Sequence, residues 1–108
     1  MKDVSQIFVF SNSTIRKALS VINSGAVKIA IVVDDKSQLL GTLSDGDLRR
    51  GLLRKKNLDD TLEGIYFKNP ITAIRSDSRE SLLNICASNH ISQIPIIDSN
   101  RRVIDLFF

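Results

Sequence analysis

Displaced by 64 residues, this chain falls on top of itself. Ile7 lands on Ile71, Leu19 on Leu83, Ser24 on Ser88, Val27 on Ile91, Val32 on Ile96, Asp34 on Asp98 and Leu40 on Ile104, with no gap in the shift. Few of the paired residues are identical, yet apolar positions meet apolar ones throughout. A self-match at one fixed period marks a single supersecondary unit used twice. Each unit carries an apolar sheet face too small to bury itself, so the two are expected to pack sheet against sheet with their helices outside. The units divide the chain into residues 1–64 and 65–108. Because Phe108 falls on Ser44, the second unit is expected to lack its last helix, as in a piece cut from a longer protein.

Local patterning gives the unit its order. Ile7 to Phe10 reads as a short strand, Ser11-Asn12-Ser13 as a cap, and Ile15, Ala18, Leu19 and Ile22 as a helical stripe that Gly25 ends in the left-handed conformation. Val27 to Val33, interrupted only by Lys28, reads as a buried strand closed by the Asp34-Asp35-Lys36-Ser37 turn. Leu39 to Leu43 supplies another strand, and Leu48, Leu52 and Leu53 give helical spacing from Asp45 to Lys56. The unit is therefore βαββα, and the fold class α+β.

The second copy begins after a connector, residues 57–70, anchored by Leu58, Leu62, Ile65, Tyr66 and Phe67 and closed by Asn69-Pro70. Ile71 to Ile74 repeats the first strand. Asp77 and Glu80 form a capping-box pattern ahead of Leu82, Leu83, Ile85 and Cys86. Ile91 to Ile97 is the next buried run, in which Pro95 implies an edge position or a ladder bond that is not made. Val103 to Phe108 is the last strand.

Composition excludes several functions. A single Cys86 rules out an internal disulfide framework and, among Leu82, Leu83 and Ile85, reads as a small core residue. His90 and Cys86 alone make neither a metal site nor a catalytic set. No apolar run approaches a membrane span, and the start of the chain lacks a signal-peptide plan, so a cytoplasmic protein is expected. The net charge is +3, with Arg49, Arg50, Arg54, Lys55 and Lys56 on one helix and Arg101 and Arg102 near the other end. With no aromatic residues interleaved, these read as a solvated face rather than a nucleic-acid surface, though a small anion still fits.

The strand-to-helix junction at Ser44 has two readings. Free backbone N–H groups at the positive end of a helix dipole favour an anion, and Gly41 and Gly46 would let another group approach the backbone. Ser44 with Asp47 is equally a helix cap in which the hydroxyl and the acid satisfy each other's backbone.

A duplicated βαββα unit with Gly-x-x-Ser-x-x-Asp at this junction resembles the CBS domain, two of which make a Bateman module. Ser44 to Arg50, Asn69-Pro70-Ile71-Thr72 and Ile94-Pro95-Ile96-Ile97-Asp98 look most like the CBS pair ahead of sugar-phosphate nucleotidyltransferase domains. The resemblance implies a cleft between the copies for AMP, ADP, ATP or S-adenosylmethionine as effector, with no cofactor required. Carried over by position, Asp47 would take the ribose hydroxyls and Ser44 the phosphate, with Arg49 or Arg50 adding charge. Ile91, Ser92 and Gln93 would read the adenine edge, with Thr72 nearby. The second cleft would use Val27, Lys28 and Ile29, but its ribose acid would lie beyond Phe108, so one competent site at most is expected.

The resemblance thus implies a regulatory adenosine-nucleotide-binding module controlling an attached catalytic domain, probed by loss of affinity in Asp47→Ala. The alternative is a dimerisation module, paired through its helices into a homodimer, whose cleft is vestigial. An enzyme in its own right has the least support.

Overall fold

The structure, a computed structural model, describes residues 3–108. A short 3-10 turn, Val4–Ile7, leads into β1 (Phe8–Val9), α1 (Ile15–Ser24), β2 (Ile29–Val33), β3 (Leu39–Ser44) and α2 (Asp45–Leu53). After the connector come α3 (Arg79–Asn89), β4 (Ile94–Ile97) and β5 (Val103–Phe107). The first sheet has the order β1-β2-β3, with β1 parallel and β3 antiparallel to β2; β4 and β5 form an antiparallel pair.

The sequence displacement survives as strand register. Ala30 opposite Leu43 becomes Ile94 opposite Phe107, Ile31 opposite Thr42 becomes Pro95 opposite Leu106, and Val33 opposite Leu39 becomes Ile97 opposite Val103. The register irregularity after Val32 recurs after Ile96. Val9 opposite Val32 becomes the isolated parallel bridge of Ala73 with Ile96. That bridge does not grow into the strand expected at Ile71 to Ile74. The next bond of a parallel ladder needs an N–H from residue 95, and proline has none.

The halves meet at equivalent residues. Gln38 bridges Arg102; the Leu39 N–H donates to the Arg101 carbonyl at 2.9 Å, and the Val103 N–H to the Ser37 carbonyl at 2.9 Å. Reciprocal bonds between equivalent groups are what a local two-fold axis produces. Around it, Ile31, Val33 and Leu39 pack with Ile97, Val103 and Leu106 in one apolar cluster. The sheets therefore pack face to face, as expected. A second cluster joins the other face of the first sheet to α1 and α2 through Ala30, Val32, Leu43, Ile15, Ala18, Ile22 and Leu48. Its counterpart in the second half contains only Ala73, Leu82 and Ile94 as buried members, with Cys86 half-buried beside them, because no counterpart of α2 covers it among the described residues.

Several local expectations shift by a residue or two. The cap of α1 is Thr14, not the Ser11-Asn12-Ser13 cluster, whose Ser13 hydroxyl instead accepts from the Phe10 N–H at 2.9 Å. In the same way Ser78 caps α3, while Asp77 accepts from the Ile74 N–H at 2.9 Å, so the Asp77 and Glu80 box does not form. In each half the first polar residue closes the preceding turn and the next one caps the helix. Gly25 follows α1 in an extended conformation, φ −83°, not a left-handed one. The strand expected from Val27 starts at Ile29, since Lys28 takes φ +54°.

The equivalent turns at Asp34 and Asp98 end these strands alike. The Asp98 carboxylate accepts from the Arg102 and Asn100 backbone N–H groups, both at 2.9 Å, and from the Arg102 guanidinium at 2.8 Å. The Arg102 N–H holds the Asp98 pKa below the ordinary carboxylate range, against partial desolvation and with help from the Arg102 side chain and Asn100. A depressed folded-state value means the stabilisation is present above the unfolded pKa of about 4 and is lost as pH falls through the folded one. Urea unfolding of Asp98→Asn is therefore expected to show a flatter acid limb than the parent chain below about pH 4. Parallel acid limbs would show that Asp98 contributes nothing to the acid sensitivity of the fold.

Candidate functional site

Between the halves lies a cleft of about 580 Å³. Ile29, Thr42 and Ser44 of the first sheet form one wall; Ile91, Ser92, Gln93 and Pro95, with Asn89 and His90 at the end of α3, form the other; Phe67 to Ile71 of the connector closes an edge through Phe67, Asn69, Pro70 and Ile71. Its size and its mixture of apolar walls with a few polar groups suit a small organic ligand.

The Ser44 corner is built by alternation and capping. Thr42 and Ser44, two apart on β3, face the same side of the sheet. Ser44 then caps α2: its hydroxyl accepts from the Asp47 N–H at 3.2 Å, and Asp47 Oδ2 accepts from the Ser44 N–H at 2.8 Å and the Ser44 hydroxyl at 2.9 Å. Asp47 Oδ1 accepts from the Arg50 guanidinium at 2.7 Å. Of about four acceptor positions on a carboxylate, three are thus filled from within the chain. Arg49 pairs with Asp45 on the exposed side of α2.

On the facing wall, α3 ends with His90 in the left-handed region, φ 54°, and both the His90 and Ile91 N–H groups bond the Cys86 carbonyl. That turn aims Ile91 to Gln93 across the cleft. The Gln93 amide donates to the Val27 carbonyl at 3.2 Å, a direct bond between the halves.

The structure therefore brings Ser44, Ile91, Ser92 and Gln93 together around one cleft. Asp47, Arg49 and Thr72 are not among its lining residues: the first two are engaged in α2, and half-buried Thr72 lies between lining Ile71 and the Ala73 bridge. Thr42, Phe67, Asn89 and His90 also line the cleft and were not assigned to it from the sequence; period-two spacing from Ser44 is the signal that could have found Thr42. Gly41 does admit a close neighbour, but that neighbour is the connector, whose Phe67 exchanges paired backbone bonds with Thr42 at 2.9 and 3.0 Å. At the expected second cleft, Val27 is bonded by Gln93, Ile29 belongs to the first cleft, and Phe108 is largely exposed. A larger, open concavity of about 800 Å³ lies against α1, between Lys28 and Asp45. Among the described residues, no group of His, Cys, Asp or Glu is placed to hold a metal, and no helix is long and apolar enough to cross a membrane.

An αββ core used twice, preceded in one half by strand β1 and in the other by a single parallel bridge, with a cleft between the copies, defines a paired small-domain module. The chain belongs to the CBS domain family, whose model matches residues 1–54. Its architecture is that of a CBS domain pair: it superposes on a solved CBS pair in complex with 5′-methylthioadenosine and S-adenosyl-L-methionine with a TM-score of 0.81, at 25% identity, covering 93% of this chain and 78% of that one. A homoserine O-acetyltransferase of Methanococcus vannielii is 27% identical over 91% of this chain. An L-aspartate semialdehyde sulfurtransferase of Methanocaldococcus jannaschii is 26% identical over 93% of it. The chain spans about a fifth of the length of these two curated relatives, 20% and 19%.

Proposed function

We propose that this CBS pair is a regulatory module that binds an adenosine ligand between its halves and so biases an attached catalytic domain. The observation that carries the reading is the cleft itself, in which Ser44 of one half faces Ile91, Ser92 and Gln93 of the other. A ligand touching both walls binds one arrangement of the halves better than another, and its regulatory effect can be no larger than that difference in affinity. The solved pair with 5′-methylthioadenosine and S-adenosyl-L-methionine supports the ligand class. The proposed units remain residues 1–64 and 65–108. The expectation of a nucleotidyltransferase partner gains nothing from the acetyltransferase and sulfurtransferase relatives. Residues Ser44, Ile91, Ser92 and Gln93 are the proposed direct contacts; Asp47 positions Ser44 through the capping box.

A thermal-shift titration with AMP and S-adenosylmethionine tests this, because a ligand that binds only the folded state stabilises it by about 2.7 kcal/mol at a hundredfold Kd, a rise in Tm of roughly 10 °C. The rise is expected for at least one of them in the parent chain and not in Ser92→Trp, where an indole fills the cleft from an exposed position. No rise in the parent chain at millimolar ligand would overturn the reading and leave the helix-paired dimerisation module as the better account.

A further inference from the structure

We propose that the cleft selects adenosine ligands of little or no charge and rejects nucleoside di- and triphosphates. The inference rests on the adenosine-binding reading above and adds the ligand's charge class. Among the described residues, no Asp, Glu, Lys or Arg lines the cleft; His90 is its one ionisable lining side chain.

The nearby cations are turned to other partners. Lys68, between two lining residues, places its ammonium 5.7 Å from the centre of the Tyr66 ring. Lys28, next to lining Ile29, reaches the Asn23 carbonyl at 3.5 Å and borders the concavity against α1 instead. At the Ser44 corner Arg49 is paired with Asp45 and Arg50 with Asp47.

The helix end does not supply the missing charge. The amino-terminal end of a helix is worth about half a positive charge, and the first turn of α2 already carries the Asp45 and Asp47 carboxylates. Their two paired arginines leave the corner close to neutral. A polyphosphate brought there loses hydration with no unpaired cation to replace it. A ribose or a thioether substituent meets hydroxyls, amides and apolar walls, which suit an uncharged group.

Isothermal titration of the whole chain with adenosine, 5′-methylthioadenosine, AMP, ADP and ATP, at one ionic strength and without divalent metal, reads the selectivity. Adenosine and 5′-methylthioadenosine are expected to bind tightest, and ATP about tenfold or more weaker, with the gap narrowing as salt rises. Asn69→Lys, which places a cation on the cleft wall, is expected to raise the ratio of ATP to adenosine affinity severalfold. ATP binding as tightly as adenosine would overturn the charge class while leaving the adenosine sensor intact. Silence from all five ligands would overturn the sensor reading and this inference with it.

Discussion

Replacing Gly41 with alanine is expected to lower the unfolding free energy by about 3 to 5 kcal/mol. A Cβ built at Gly41 would lie 2.2 Å from the Phe67 carbonyl oxygen and 2.6 Å from the Tyr66 ring. Neither neighbour can yield cheaply, because Phe67 is fixed by its pair of backbone bonds to Thr42 and Tyr66 packs against the helix-facing core. The connector must therefore lift, losing those bonds and part of the cleft edge that Phe67 to Ile71 provides. Gly46→Ala is the matched control: its added Cβ meets the Arg50 guanidinium at 3.3 Å, which is flexible and solvent-exposed, and the Ser44 hydroxyl at an ordinary 3.7 Å. There the helical preference for alanine over glycine, about 1 kcal/mol, is expected to offset the contact. Urea unfolding of the two variants beside the parent chain checks both; an unchanged midpoint for Gly41→Ala would contradict the connector's placement.

The second large effect is at the shared core. Ile31 is fully buried and Leu106 is 3% exposed, and they belong to the same cluster although they lie in different halves. Truncating either to alanine removes packing that the other half also uses, at an expected cost of about 2 to 5 kcal/mol. Since the halves share this core, both variants are expected to shift one cooperative transition. Two separate transitions, with Leu106→Ala moving only one, would show that the halves fold independently and that the cleft between them is not held by the core.

The fold was legible because its determinants are periodic. Apolar residues at the same positions in both halves specify the strands, and an unbroken shift left no room for a different register. Pro95 was legible too, since a missing N–H has one consequence in a ladder wherever the strand lies. The caps were ambiguous for a physical reason: Ser13 and Thr14, like Asp77 and Ser78, are adjacent residues that can each accept from a backbone N–H, and spacing alone does not tell which turn each one closes.

The site was only half legible. Ser44, Ile91, Ser92 and Gln93 come together because the β3–α2 junction of one half faces the turn between α3 and β4 of the other. Asp47 and Arg49 belong to the same motif in the sequence, yet their carboxylate and guanidinium are taken up by neighbours on α2, an outcome that depends on rotamers and not on spacing. Gly41 reads locally as room for a ligand, while the group that fills it comes from Tyr66 and Phe67, far along the chain. His90 carries no local signal for a cleft; it arrives there because α3 ends in a left-handed turn.

Amide chemical-shift mapping of the chain titrated with adenosine reads, residue by residue, whether the ligand sits between the halves. Saturable shifts are expected at Thr42, Ser44 and Asn89 to Gln93, on both walls of the cleft at one common affinity. Shifts confined to α1 and Lys28, beside the larger concavity, would contradict that placement.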